Sequence, residues 1–190
     1  MPQIILASAS PRRKELLQQI GIQAHCMPVD IDESIKENES ASAYCQRLAL
    51  EKAQKGWQVS AKKHPVLGAD TIVVMDDEIL GKPKDENHAF SMLMALANQQ
   101  HTVITAVAMV FQNKQKVVQS SSLVQFSTIN EQDVHNYIKS GEPMDKAGSY
   151  GIQGYAARWI KHISGSYTGI MGLPLYETMQ LIEQFSQNHE

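Results

Sequence analysis

Hydrophobic positions fall in short blocks that switch between strand-like and helical spacing, which predicts strands interleaved with helices. Ile4, Ile5 and Leu6 stand in a row within Gln3 to Ser8, a short buried strand. Ser10-Pro11 is a helix-start pair, and the helix it opens runs to Ile20 with Gly21 as its stop. Residues 23 to 29 read as extended. Residues 30 to 40 hold five acids against one lysine and read as a loop. A second helix covers about Ala41 to Lys55. Val66 to Met75 is β-rich and meets Asp76-Asp77, a turn pair that predicts Glu78 to Leu80 as its hairpin partner. Asp85 caps a third helix, on which Ala89, Phe90, Leu93, Leu96 and Ala97 recur at helical spacing. Thr102 to Phe111 and Val117 to Phe126 predict two long strands joined across Gln112 to Gln115. Asn130 caps a short helix ending near Ser140-Gly141, and Pro174 starts the last one. Between them, residues 141 to 172 hold seven glycines, which predicts irregular backbone able to approach a ligand closely. The sum is an α/β fold with a mixed sheet.

Composition narrows this. With 190 residues, 43% hydrophobic and 19% charged, and with no repeat or long linker, the chain reads as one domain over residues 1–190. Seventeen Lys and Arg against 20 Asp and Glu leave a formal charge of -3, so no global positive field exists to hold a nucleic-acid polymer. Any anion site must be local. The longest apolar stretch, Val103 to Phe111, is far short of the ~18 residues a bilayer span needs. No membrane segment is expected. The opening places its positive charges after a short apolar stretch, the reverse of a secretory signal, so a mature cytoplasmic protein is expected. Cys26 and Cys45 form no metal-ligand spacing and read as reduced packing residues.

Candidate chemistry sits at a few places. Arg12, Arg13 and Lys14 occupy the first turn of helix one, where the helix dipole disfavours cations. Together with the hydroxyls of Ser8 and Ser10 and free backbone N–H groups they form a phosphate cradle, or else they face solvent. Asp70 interrupts an apolar run and needs a cation, a metal or donors to be buried there; the bland alternative is a bend satisfied by local backbone. Lys52 adjoins Glu51, and taken alone a solvated salt-bridge face is its simpler reading. Lys82, wedged between Gly81 and Pro83, sits on a stiff turn that either aims it at a phosphate or merely exposes it. Asp30, Asp32 and Glu33 offer carboxylates that could join Asp70 around a hard cation such as Mg²⁺. Gln153, between glycines, can donate and accept at once, as reading a nucleobase edge requires.

These segments also carry a resemblance. LASASPRRKELLQQIG, RLALEKA, GADTIVVMDDEILGKPKD, and DKAGSYGIQG followed by ISGSYTGIMGLPLYET resemble, in that order and over nearly the whole chain, the Maf family of nucleoside triphosphate pyrophosphatases. The resemblance implies an elongated sheet flanked by helices, with two lobes around a central cleft as in inosine triphosphate pyrophosphatases, and often a homodimer. It implies Asp70 as proton acceptor, with Ser8, Arg13, Glu33, Lys52 and Lys82 lining the triphosphate and metal region. Arg12, Thr71 and Gln153 match the branch acting on dTTP and UTP; the 7-methyl-GTP branch typically has Trp, Gln and Glu there. Ala9, where relatives often have Gly, is a minor departure.

Residues and resemblance together predict release of pyrophosphate from a nucleoside triphosphate, helped by Mg²⁺ or Mn²⁺ at Glu33. Two alternatives stand beside it: a non-enzymatic nucleotide-binding regulator of septum formation, and a 7-methyl-GTP pyrophosphatase.

Overall fold

The computed structural model describes residues 3–186. Met1-Pro2, which open the segment read for a targeting signal, and residues 187–190 of the expected 1–190 domain lie outside the described residues. The element order is β1 (Ile4–Leu6), α1 (Pro11–Gln19), β2 (Ala24–Cys26), α2 (Ala41–Val59), β3 (Val66–Met75), β4 (Glu78–Leu80), α3 (Glu86–Leu96), β5 (Gln100–Phe111), β6 (Lys114–Phe126), α4 (Glu131–Lys139), β7 (Ile160–Ser164), α5 (Tyr167–Ile170) and α6 (Leu175–Ser186). The seven strands form one mixed sheet in the order β2-β1-β3-β5-β6-β7, with β4 paired to β3. An α/β fold with helix-flanked mixed strands is therefore observed.

Two compact units share the chain. The first comprises the described residues up to Asp70, Thr105–Ser120 and those from Gly172 onward. Here β1 pairs in parallel with β2 (Ile5 opposite His25) and with β3 (Ile5 opposite Val66), so α1 and α2 are crossover helices of the kind parallel strands need. Leu6, Leu16, Leu17, Ile22, Leu48 and Leu67 are fully buried between them. Trp57 packs edge-on to Phe111 at 5.5 Å. Helix α2 runs a turn beyond the predicted Lys55, because Gly56 is not a stop but a contact. A Cβ there would meet Val66 Cγ1 at 2.8 Å and Ala7 Cβ at 3.0 Å.

The second unit comprises Thr71–Ile104 and Ser121–Met171. Asp76 and Asp77 both take positive φ (49° and 65°), the turn that returns β4 along β3 with Val73 opposite Leu80. Asp85 and Asn130 cap α3 and α4 through their side chains, as their sequence positions predict. Strand β7 was hidden in the glycine-rich stretch. Its sequence IKHIS holds only two apolar residues, and it lies at the end of the strand order, paired antiparallel to β6 alone. No helix among the described residues is long and apolar enough to cross a membrane.

Candidate active site

Strand β1 delivers Ser8, and the turn after it starts α1. Ser8 is buried, and its Oγ accepts from the Ser10 backbone N–H (3.1 Å) and from Arg13 Nη1 (3.1 Å). Arg13 Nε donates to the Gly172 carbonyl at 2.8 Å. The helix therefore begins with Arg13 folded back over the strand end. Ser10 takes the N-cap position but makes no side-chain cap, and no acid occupies the first turn. First-turn N–H groups that lack a side-chain cap, next to a guanidinium, suit an anion. Burial lowers the Arg13 pKa, opposed first by the charge of Asp70 and more weakly by that of Glu33. A guanidinium stays protonated through such shifts.

The second cluster is built on α2 and β3. Gly68 lets them meet: a Cβ there would overlap the Ala49 carbonyl oxygen and the Ala53 amide nitrogen, both backbone. With Cys45, Ala49, Ala53 and Gly56 buried on one helix stripe, α2 lies close on β3. Lys52 is thereby carried to Asp70, its Nζ 2.7 Å from Oδ1, and it meets Glu33 Oε1 at 2.7 Å. Side-chain exposures of 14% for Lys52, 11% for Asp70 and 53% for Glu33 make this one buried pair with one outer arm. Cys45 donates its thiol to the Asp70 carbonyl at 3.4 Å. Burial, and then the Asp70 charge, push that thiol up to about 12, so it stays protonated.

Lys52 departs from its simpler sequence reading. Glu51 turns instead to Arg47 (3.2 Å) and Lys36 (3.7 Å), because adjacent helix positions point to different faces. Asp70 has the cation its burial requires. Asp32 caps the Ser34 N–H at 2.9 Å, a bond that lowers its pKa, while Asp30 is exposed.

Thr71, Lys82 and Gln153 belong to the second unit. Thr71 is half-buried on β3; Lys82 is exposed beside the buried Pro83. Gly148, at φ 67°, packs on Val73 and donates its N–H to the Gly81 carbonyl at 3.1 Å, tying the lysine turn to the glycine-rich stretch. Gln153 is exposed next to Gly154, whose missing Cβ leaves room for the Glu142 carboxylate. Tyr137 donates its hydroxyl to that carboxylate at 3.0 Å and accepts from the Gly151 N–H at 3.3 Å. Tyr137 and Glu142 therefore brace the Gln153 loop. Neither was singled out in the sequence, where only their place beside the glycine cluster could have marked them. Arg12, in the first unit, is half-buried on α1.

A family model for Maf-like proteins matches residues 3–185. The chain belongs to the Maf family. A dTTP/UTP pyrophosphatase of Pseudoalteromonas translucida is 50% identical over 182 residues, covering 96% of this chain and 96% of the relative. One of Aliivibrio fischeri is 49% identical over 187 residues (96% and 98%), and one of Chromobacterium violaceum is 47% identical over 186 residues (96% and 94%). Both the strand-end turn with Ser8 and Arg13 and the Lys52–Asp70 pair fall within the part that matches Maf-like proteins.

Among the described residues no group of three or more His, Cys, Asp or Glu is placed to hold a metal ion. Mg²⁺ and Mn²⁺ do not need one, since one or two carboxylates plus substrate phosphates suffice. Glu33 and Asp70 are two carboxylates that converge on one point, where the Lys52 ammonium sits 2.7 Å from each.

Proposed function

We propose that this Maf-family chain hydrolyses dTTP and UTP at the α–β phosphoanhydride to the nucleoside monophosphate and pyrophosphate. The observation that carries the proposal is the buried Lys52–Asp70 pair with Glu33 on the same ammonium. It provides one carboxylate fixed in place beside cations suited to phosphate. The names of the relatives support the reaction and the pyrimidine substrates.

In this reading Ser8, Arg13 and the start of α1 hold phosphate oxygens, and Lys52 and Lys82 offset charge that grows on the leaving pyrophosphate. Asp70 meets Lys52 through Oδ1 and takes a proton from water on its other oxygen. The water oxygen bonds to the α-phosphorus as the bond to the bridging oxygen breaks, and pyrophosphate carries that electron pair away. Arg12, Thr71 and Gln153 select the base. Glu33, with Asp70, would hold Mg²⁺ or Mn²⁺, which when bound neutralises phosphate charge. The reading extends to a cytoplasmic homodimer that takes free nucleotides and not a nucleic-acid polymer.

Pure protein incubated with dTTP or UTP and a divalent salt should release pyrophosphate. Release should stop with chelator and fall at least ~100-fold in Asp70→Asn with the fold intact. Tight nucleotide binding without release would refute the enzyme and leave a regulator.

A further inference from the structure

Glu33 stands in an eleven-residue stretch, 30–40, that has no helix or strand, and its side chain is 53% exposed. Yet its Oε1 meets Lys52 at 2.7 Å. An exposed carboxylate on such a loop keeps one position only if its backbone is fixed from outside.

Two side chains of α2 do this. Tyr44 donates its hydroxyl to the Glu33 carbonyl at 2.8 Å. Arg47 donates through Nη2 to the Ser34 carbonyl (2.9 Å), through Nε and Nη2 to both oxygens of Glu39 (2.6 and 2.7 Å), and through Nη1 to Glu51 (3.2 Å). Its guanidinium also lies 5.5 Å from the centroid of the Tyr44 ring. Glu39 in turn accepts from the Lys36 N–H at 3.0 Å, so the fork ties residues 34, 36 and 39 of the loop together. The guanidinium holds the Glu39 carboxyl well down, to about 2. Such a forked pair is geometrically specific in a way a single lysine contact is not.

We infer that Arg47, with Tyr44, is a positioning residue that sets Glu33 opposite Lys52 and thereby sets how tightly the site takes its divalent ion. The inference rests on the reading of Glu33 given above; Arg47 itself touches no reacting group in it.

The test uses the full chain as wild type, Arg47→Met, Tyr44→Phe, Glu33→Gln and Arg47→Met combined with Glu33→Gln. Amide exchange at residues 33–36 should quicken by about tenfold in Arg47→Met while β3 amides keep their protection. The Mn²⁺ concentration giving half-maximal pyrophosphate release from dTTP should rise by about fivefold to tenfold in Arg47→Met, and kcat at saturating Mn²⁺ should stay within about twofold. With Glu33→Gln already present, Arg47→Met should raise it no further. A merely structural role would add its effect in both backgrounds, and that result overturns the inference. Unchanged exchange at 33–36 overturns it too. If Arg47→Met does not fold, Tyr44→Phe removes a single hydroxyl and faces the same two criteria. Wild type without pyrophosphate release refutes the proposed function instead, and the exchange measurement still decides whether Arg47 holds the loop.

Discussion

Lys52 Nζ lies 2.7 Å from Asp70 Oδ1 and 2.7 Å from Glu33 Oε1, so a single ammonium balances a buried carboxylate and an exposed one. The two contacts are unequal in energy. Glu33 is screened by solvent and contributes little, whereas Asp70 is taken out of water and has this ammonium as its hydrogen-bonded counter-charge. Lys52→Met should therefore destabilise the protein by about 3 kcal/mol, because it strands the aspartate. Adding Asp70→Asn should recover most of that loss in stability without recovering activity. Urea midpoints of the two single variants and the double decide it. Additive losses would mean that Lys52 stabilises through packing alone.

That pair also marks the limit of what the sequence disclosed. The strand–turn–helix at Ser8 to Arg13, the β3–β4 hairpin and the caps at Asp85 and Asn130 were legible because each rests on neighbouring residues. Lys52's partners lie 18 and 19 positions away along the chain, and local spacing favoured Glu51. Arg47 carries no local signal for the same reason: its fork closes on Glu39, eight residues back and before the helix begins. Strand β7 was hidden because a short edge strand followed directly by Gly165 carries little apolar alternation.

The approach of α2 to β3 depends on a missing side chain. A methyl group on Gly68 would meet the Ala49 carbonyl oxygen, the Ala53 amide nitrogen and the Ala53 Cβ, none of which can rotate away, so α2 must lift and take Lys52 with it. Gly68→Ala should cost about 2 kcal/mol or more and lower kcat together with stability. Gly81→Ala is the matched control, since no atom lies within 4 Å of its added Cβ. Its effect on stability should stay within about 0.5 kcal/mol. Equal effects at the two glycines, read by thermal unfolding, would remove the close-packing argument.

In the second unit His101 is buried, with Nε2 2.7 Å from the Tyr150 hydroxyl and its ring edge-on to Phe126 and Tyr150. Burial lowers its pKa from 6.5 to about 4, so the folded imidazole is neutral at pH 7. Between those values the unfolded chain binds a proton that the folded chain refuses, and stability must fall as pH drops from about 6.5 to about 4. The loss from this one group is of order 3 kcal/mol. His101→Leu should unfold more easily at pH 7 yet lose less on acidification. An acid dependence as steep in the variant as in wild type would assign the effect to other groups.

Base choice should turn on hydrogen-bond direction at Gln153. A thymine or uracil edge offers an N–H donor beside carbonyl acceptors, and the exposed amide of Gln153 can accept from the first and donate to the second. A carboxylate can only accept. It would repel the carbonyls but would suit the adjacent N–H donors on the edge of a guanine. Gln153→Glu should therefore lower kcat/KM for dTTP and UTP by roughly 100-fold and raise turnover of 7-methyl-GTP. Arg12→Trp should push the same way, by offering the cationic 7-methylated ring an aromatic face. Competing substrates in one assay report the ratio directly, and a Gln153→Glu protein that still prefers dTTP would place base selection on residues other than Gln153.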